Sequence, residues 1–147
     1  MIIENINENN KNLVLTFIKR IPTIEIIEED ILENIVLIRD EKEVLGIISY
    51  ENYLDKGLIR YFIFQKDVAY EELEILFKTM KEKAKYYGIK CLITVIEERE
   101  LVTFFNKLGF KKIDTDKIYL FETSLVDTIY SKAIVMIYEM EQNDLYS

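Results

Sequence analysis

The fold is predicted by a short segment in which a helix ends at a glycine, Phe104-Phe105-Asn106-Lys107-Leu108-Gly109-Phe110. Apolar residues recur at helical spacing here, at Leu101, Phe104, Phe105 and Leu108. Gly109 follows this run, at the position where a helix end favours a residue that accepts a left-handed backbone. Phe110 then opens a short strand that continues to Ile113. The segment therefore predicts a helix packed against a sheet.

The residues before this segment supply three further elements. Residues 57–65 predict a strand, residues 68–87 a long helix that ends at Gly88, and residues 90–96 a buried strand. The order is strand, long helix, strand, short helix and strand. Because a helical crossover joins the first two of these strands, we expect them to run parallel.

This order and two motifs within it resemble the GNAT superfamily of N-acetyltransferases. Its members typically end their last helix in Tyr-x-Lys-Leu-Gly-Phe, and this chain has Phe105-Asn106-Lys107-Leu108-Gly109-Phe110. They end the long helix in Ala-x-x-x-Gly, and this chain has Ala84-Lys85-Tyr86-Tyr87-Gly88. The resemblance covers residues 35–113 well and both ends loosely. It implies a mixed α/β fold, with a central sheet and helices on both faces, in a single acyltransferase domain over residues 1–147.

The N-terminal part predicts a helix and a hairpin. Residues 7–20 predict the helix, capped by Asn7 or Asn9. Residues 35–38 and 44–50 predict the hairpin. Gly46 within its second strand predicts a bulge or a close approach of two backbones. Further elements are a helical turn at residues 28–32, a polar loop at residues 51–56, and two late strands at residues 117–121 and 134–138.

The strand at residues 58–65 is apolar on both faces, which predicts a central strand covered on both sides. Arg60 is the exception and requires a carboxylate or solvent. The long helix that follows has one apolar face for the core, formed by Leu73, Leu76, Phe77, Met80 and Ala84.

Composition excludes several classes of chemistry. The 147 residues include no histidine and one cysteine, Cys91, so His-ligated zinc, Ser-His-Asp triads and internal disulfides are unavailable. Cys91 lies in an apolar strand, which is typical of a small buried residue. The net charge of −8 disfavours nucleic acid as a partner. No apolar run approaches the ~20 residues that span a bilayer, and no signal peptide begins the chain. We therefore expect no membrane association and a cytoplasmic protein.

The resemblance implies acetyl-CoA as the acetyl donor. In the family, the central strand splays from the next strand, and its main chain binds the pantetheine arm; the matching residues here are Phe62, Ile63 and Phe64. The turn before the long helix holds the pyrophosphate on backbone amides, which assigns Lys66, Asp67 and Val68 to the cofactor. Phe105 occupies the position of the tyrosine that often protonates the departing thiolate.

Three departures from the family pattern concern this cofactor. The turn reads Gln65-Lys66-Asp67-Val68-Ala69-Tyr70, without the usual glycines, and counting back from Gly88 places Glu71 and Leu73 there instead. Three carboxylates, those of Asp67, Glu71 and Glu72, surround one cation, Lys66. Phe105 has no proton to donate. We therefore expect weaker acetyl-CoA binding than is typical of the family, with Lys66 as the main phosphate contact.

Glu98 and Tyr61 are the candidate catalytic residues, because the acceptor amine must lose a proton before it attacks. Glu98 follows a central strand, where ligands tend to bind in open sheets. The alternatives are structural: Glu97 and Glu98 as carboxylates at a helix start, and Phe104 and Phe105 as core residues.

Two functions remain open from the sequence. One is an N-acetyltransferase that acts on a small amine. The other is a catalytically silent GNAT-like domain used for ligand binding or protein assembly, and the missing glycines favour it. A homodimer is left open.

Overall fold

The computed structural model describes residues 1–24, 27–113, 119–120, 123–124 and 134–140. In this part of the chain the helices are α1 Lys11–Lys19, α2 Glu29–Glu33, α3 Tyr70–Tyr86 and α4 Glu100–Leu108. The strands are β1 Ile2–Asn5, β2 Val36–Arg39, β3 Val44–Tyr53, β4 Lys56–Phe64, β5 Cys91–Ile96, β6 Lys111–Ile113, β7 Tyr119–Leu120, β8 Thr123–Ser124 and β9 Ile134–Glu139.

Seven of these strands form one mixed sheet in the order β1-β2-β3-β4-β5-β9-β6, and β7 pairs with β8 separately. β4 is the fourth of the seven, so the predicted central position is confirmed. β4 and β5 run parallel, as expected for strands joined through the crossover helix α3. The β1–β2, β2–β3, β5–β9 and β6–β9 ladders are antiparallel. The mixed α/β fold predicted from the sequence is confirmed.

The chain divides into two compact units. The first comprises Met1–Glu51 and Arg60–Tyr86, and the second comprises Asn52–Ile59 and Tyr87–Ser147. In the first unit, one hydrophobic cluster joins α1, α2, β2 and β3 through Val14, Phe17, Ile18, Leu32, Ile35, Leu37, Val44 and Ile47. The predicted buried face of α3 is also confirmed, at Leu73, Leu76, Phe77, Met80 and Ala84.

A polar network connects β1, β2 and the start of α1. Nε of Arg39 donates to Oε1 of Glu4 at 2.7 Å, and Nδ2 of Asn10 donates to the same oxygen at 3.1 Å. Asn10 is buried, and its Oδ1 accepts the N–H of Asn7. Hydrogen bonds from Arg39 and then from Asn10 lower the pKa of Glu4.

Three sequence predictions about the first part of the chain were wrong in detail. α1 begins at Lys11 and not at residue 7, because the side chain of Asn7 accepts the N–H groups of Asn9 and Asn10 in a turn before the helix. Residues 51–56 are not a loop: β3 continues to Tyr53, and β4 begins at Lys56. Residues 60–65 are only half-buried, so the second part of β4 is less covered than predicted.

The second unit contains the segment that closes α4. Gly109 has a φ of +107°, and its N–H and that of Phe110 bond back to the last turn of α4, which confirms the predicted helix end. Phe110 is buried, with its ring edge-to-face to Phe105 at 5.2 Å and tilted against Tyr138 at 5.5 Å. In the same unit, Leu58, Ile93 and Val135 form a second hydrophobic cluster.

Replacing Gly109 with valine should destabilise the protein by about 1–2 kcal/mol from backbone strain alone. A Cβ at this position would also lie 3.0 Å from Cε2 of Tyr138, so the measured loss should exceed the strain term. Gly88→Val is the matched control, because Gly88 has a φ of +89° with no atom within 4 Å of an added Cβ. Urea unfolding measures how much free energy of unfolding each of the two variants loses, and the difference between the two losses is the effect of the contact with Tyr138. A Gly109→Val protein as stable as the parent would contradict a left-handed backbone at Gly109.

The free energy of unfolding should depend on pH through Glu4. Its folded pKa lies below the ordinary value of 4.5, so the stabilisation is fully present above 4.5 and is lost as the pH falls through the folded pKa. We expect a loss of about 1 kcal/mol, because both partners are partly exposed. Urea unfolding from pH 6 to pH 3 should show a flatter acid limb for Glu4→Gln and for Arg39→Met than for the parent. Identical limbs would rule out this role for Glu4.

Candidate active site

The candidate site begins in the central strand β4. Its ladder with β5 pairs Lys56–Leu58 with Cys91–Ile93. Further along, the N–H of Gln65 donates to the carbonyl of Leu45 at 2.9 Å, and a Cβ on Gly46 would lie 2.9 Å from Cβ of Phe64. The sequence predicted a bulge or a close backbone approach at Gly46. Both are present, because the β2–β3 register also shifts between Gly46 and Val44. The predicted splaying of β4 from β5 stays a prediction.

Tyr61 has a left-handed backbone within β4, which is continuous from Lys56 to Phe64. Its φ is +58°, a conformation that is unfavourable for an aromatic residue and costs on the order of 1–2 kcal/mol. Its side chain packs with Ile63 against the hydrophobic cluster of the first unit. Residues held in such conformations are over-determined by their surroundings and cluster at functional sites.

Glu51 and Arg60 lie beside Tyr61. Nη1 of Arg60 is 2.8 Å from Oε1 of Glu51, and Glu51 is only 17 % exposed. The guanidinium carbon lies 5.2 Å from the ring centre of Tyr61, and Nη2 is 3.5 Å from its hydroxyl oxygen. The carboxylate that Arg60 was predicted to require is thus Glu51. Together these contacts hold the ring of Tyr61 between an ion pair and the core.

Phe62, Ile63 and Phe64, which were predicted to bind the donor through their main chain, complete β4. The rings of Phe62 and Phe64 lie 5.4 Å apart at an interplanar angle of 59°. All three residues are half-buried, so this part of the strand is accessible to a ligand.

The turn from β4 to α3 contains the other predicted donor contacts. Lys66 and Asp67 are exposed, whereas Val68 is buried at 7 % exposure. The N–H of Val68 donates to the carbonyl of Gln65 at 3.2 Å, and the N–H of Ala69 donates to Oε1 of Glu72 at 3.2 Å. The two amides just before α3 thus have acceptors within the chain.

The remaining predicted site residues belong to the second unit. Phe105 is 4 % exposed and lies edge-to-face with Phe104 at 5.4 Å and with Phe110 at 5.2 Å, as expected of a core residue. Glu98 is exposed in the turn before α4, and its carbonyl accepts the N–H of Leu101. Cys91 is half-buried, and burial raises the pKa of its thiol, which disfavours the nucleophilic thiolate.

The structure brings Tyr61, Phe62, Ile63, Phe64, Lys66, Asp67 and Val68 together in one continuous stretch of the first unit. Glu98 and Phe105 lie in the second unit. Sequence reasoning missed Glu51 as the partner of Arg60, and it named Glu72 as a nearby charge without predicting that it caps α3. The charge of Arg60 in an otherwise apolar strand was the signal for Glu51, and the spacing of Glu72, three residues after Ala69, was the signal for a helix cap.

Other features lie apart from these residues. A cavity of about 230 Å³ is lined by Ile6, Asn7, Glu8, Lys11, Glu29, Leu32 and Glu33, none of which was predicted to act. Among the described residues, no group of three or more acidic or cysteine side chains could hold a metal ion. No described helix is long and apolar enough to cross a membrane.

Comparison with solved structures gives the same architecture throughout. The N-acetylglutamate synthase of Neisseria gonorrhoeae, in complex with coenzyme A and N-acetyl-glutamate, matches 96 % of this chain with a TM-score of 0.72 at 13 % identity. A GNAT-family acetyltransferase of Staphylococcus aureus matches 95 % with a TM-score of 0.65 at 16 % identity. The chain has the GNAT acetyltransferase fold.

The lengths of these GNAT proteins differ. The present chain spans 35 % of the Neisseria synthase but 99 % of the Staphylococcus enzyme. It also spans 98 % of the PaiA N-acetyltransferase of Thermoplasma acidophilum, which is in complex with coenzyme A, with a TM-score of 0.62 at 12 % identity over 95 % of this chain. No family model matches the sequence, and no curated protein matches it. The likeness is therefore one of GNAT fold at low sequence identity.

Replacing Arg60 with methionine should destabilise the GNAT fold by about 1–3 kcal/mol, because it leaves the half-buried carboxylate of Glu51 without its ion pair. Arg60→Lys should recover part of this loss. Arg20→Met is the matched control: Arg20 also lies over a ring, that of Phe17, and pairs with Glu43, but both charged side chains are about half exposed. That variant should lose about 0.5 kcal/mol or less. Equal losses in thermal or urea unfolding would contradict this assignment.

Proposed function

We propose that this chain is a single-domain N-acetyltransferase that moves an acetyl group from acetyl-CoA to a small amine. The observation that carries the proposal is the GNAT fold, with the left-handed backbone of Tyr61 in its central strand β4. Two proteins of this fold, from Neisseria and Thermoplasma, are in complex with coenzyme A, which supports the choice of donor. A cytoplasmic location is proposed on the single cysteine.

The donor is proposed to bind along β4. Main-chain groups of Phe62, Ile63 and Phe64 would pair with the amides of the pantetheine arm, much as a neighbouring strand would. Lys66 is the proposed cation for the phosphates, with Asp67 and Val68 in the same turn. Phe105 is proposed as an apolar contact of the donor, since it carries no proton to give.

The chemical step requires the neutral form of the amine. Its nitrogen forms a bond to the thioester carbonyl carbon, the C–S bond breaks, and the proton lost by the amine ends on the released thiol. Tyr61 and Glu98 are the groups proposed to remove that proton, directly or through water. The thiolate can leave without a protein acid, because a thiol has a pKa not far above neutral.

One observation favours a second function, a catalytically silent GNAT-like domain used for ligand binding or assembly. Val68 occupies a position where the family has glycine, and Glu72 accepts the N–H of the next residue. A domain that no longer bound a nucleotide would tolerate both features.

Acetyl transfer should be detectable when acetyl-CoA is mixed with a panel of amino acids, amino sugars and polyamines, as thiol release and as a mass increase of the acceptor. Removing the base should lower kcat by about 10²-fold, so Glu98→Gln and Tyr61→Phe are the test variants. Cys91→Ser is the control and should retain the parent rate, which also excludes an acetyl-cysteine intermediate. If no acceptor is acetylated and calorimetry detects no binding at millimolar acetyl-CoA, the acetyltransferase proposal is rejected in favour of the catalytically silent domain.

A further inference from the structure

The backbone amides just before α3 already have hydrogen-bond acceptors within the chain. Val68 donates its N–H to the carbonyl of Gln65, and Ala69 donates its N–H to the carboxylate of Glu72, each at 3.2 Å. The second bond is half of a capping box, in which a carboxylate in the first turn reaches back to an amide that precedes it. A bound diphosphate would have to displace these acceptors before it could use the same amides.

Negative charge already accumulates at this position. Glu71 and Glu72 occupy the first turn of α3, and Asp67 precedes it, against the single cation of Lys66. The partial positive charge of a helix start favours a nearby anion, and in this chain the carboxylates provide that negative charge. The pKa of Tyr70 is raised first by desolvation and then by the negative charges of Glu74 and Glu71.

The turn is also anchored against rearrangement. The side chain of Val68 is buried, so turning the amides of this segment towards a ligand would expose an apolar side chain to water. A glycine at the same position would carry no such constraint.

We propose that Glu72 determines donor choice, so that the chain takes an acyl thioester by its pantetheine arm and gains little from a nucleotide diphosphate. This inference rests on the proposed acetyltransferase function and widens its donor class from acetyl-CoA to pantetheine thioesters with or without the nucleotide. The pantetheine arm is uncharged and would contact the main chain of β4, so the carboxylates of α3 do not oppose it. Lys66 offsets part of the repulsion between these carboxylates and a diphosphate. A donor that carries a diphosphate can therefore bind, but its diphosphate adds little to the affinity.

The test compares coenzyme A with pantetheine by calorimetry, and acetyl-CoA with acetyl-pantetheine by kcat/KM. In the parent protein, the two ligands should bind within about threefold of each other, since the attraction of Lys66 and the repulsion of the carboxylates nearly cancel. Glu72→Ala removes the charge and releases the amide of Ala69. It should tighten coenzyme A binding by about tenfold, the value of one charge-assisted hydrogen bond, and leave pantetheine unchanged.

Two further variants distinguish the effect of removing a negative charge from the effect of releasing the amide of Ala69. Glu71→Gln removes one charge beside the same turn without releasing an amide, and Glu72→Gln removes the charge while keeping a cap. Each should tighten coenzyme A binding by only about threefold. Adding Lys66→Ala to Glu72→Ala should abolish the tenfold gain. Thermal unfolding confirms that each variant is folded, and Glu72→Gln serves if Glu72→Ala is not.

The outcomes distinguish this inference from the proposed function. Coenzyme A that binds 100-fold or more tightly than pantetheine to the parent would overturn the inference, even with rapid acetyl transfer. Equal gains from Glu72→Ala and Glu71→Gln would overturn it as well. Similar binding of both ligands without turnover would support the inference but reject the proposed acetyltransferase activity. No binding of either ligand would reject both the inference and that activity.

Discussion

The left-handed backbone of Tyr61 is the constraint on which the candidate site depends. A φ of +58° is unfavourable for an aromatic residue, so this conformation persists only where the surrounding residues hold it. The conformation persists because the ring is held on one side by the hydrophobic cluster and on the other by Arg60, itself fixed by Glu51. Gly46 on the adjacent strand lets Cβ of Phe64 and the carbonyl oxygen of Ile63 approach closely.

α3 shows how the GNAT fold can be kept while one of its binding features changes. Its buried face fills the core, and that packing depends only on apolar residues at helical spacing. Its start makes different demands, since the first amides of any helix need acceptors. In this chain the carbonyl of Gln65 accepts the N–H of Val68 and Glu72 accepts the N–H of Ala69, so the two amides just before α3 already have acceptors.

The accuracy of prediction differed between elements for physical reasons. The ends of β5, α3 and α4 were predicted closely, because Gly88 and Gly109 mark helix ends and a run of apolar residues marks the strand. The segment at residues 51–56 was misread as a loop because it is polar. Glu51 is tolerated in a strand since Arg60 on the neighbouring strand neutralises it, a pairing that no local pattern reveals.

The sequence by itself determined the order of elements, the buried face of α3, the helix end at Gly109 and the absence of histidine chemistry, because each depends on residue type and spacing along the chain. Tertiary structure alone decided which carboxylate meets Arg60, how the backbone turns at Tyr61 and where the amide of Ala69 finds its acceptor. The first two depend on residues from different strands, and all three depend on backbone angles that apolar periodicity does not encode.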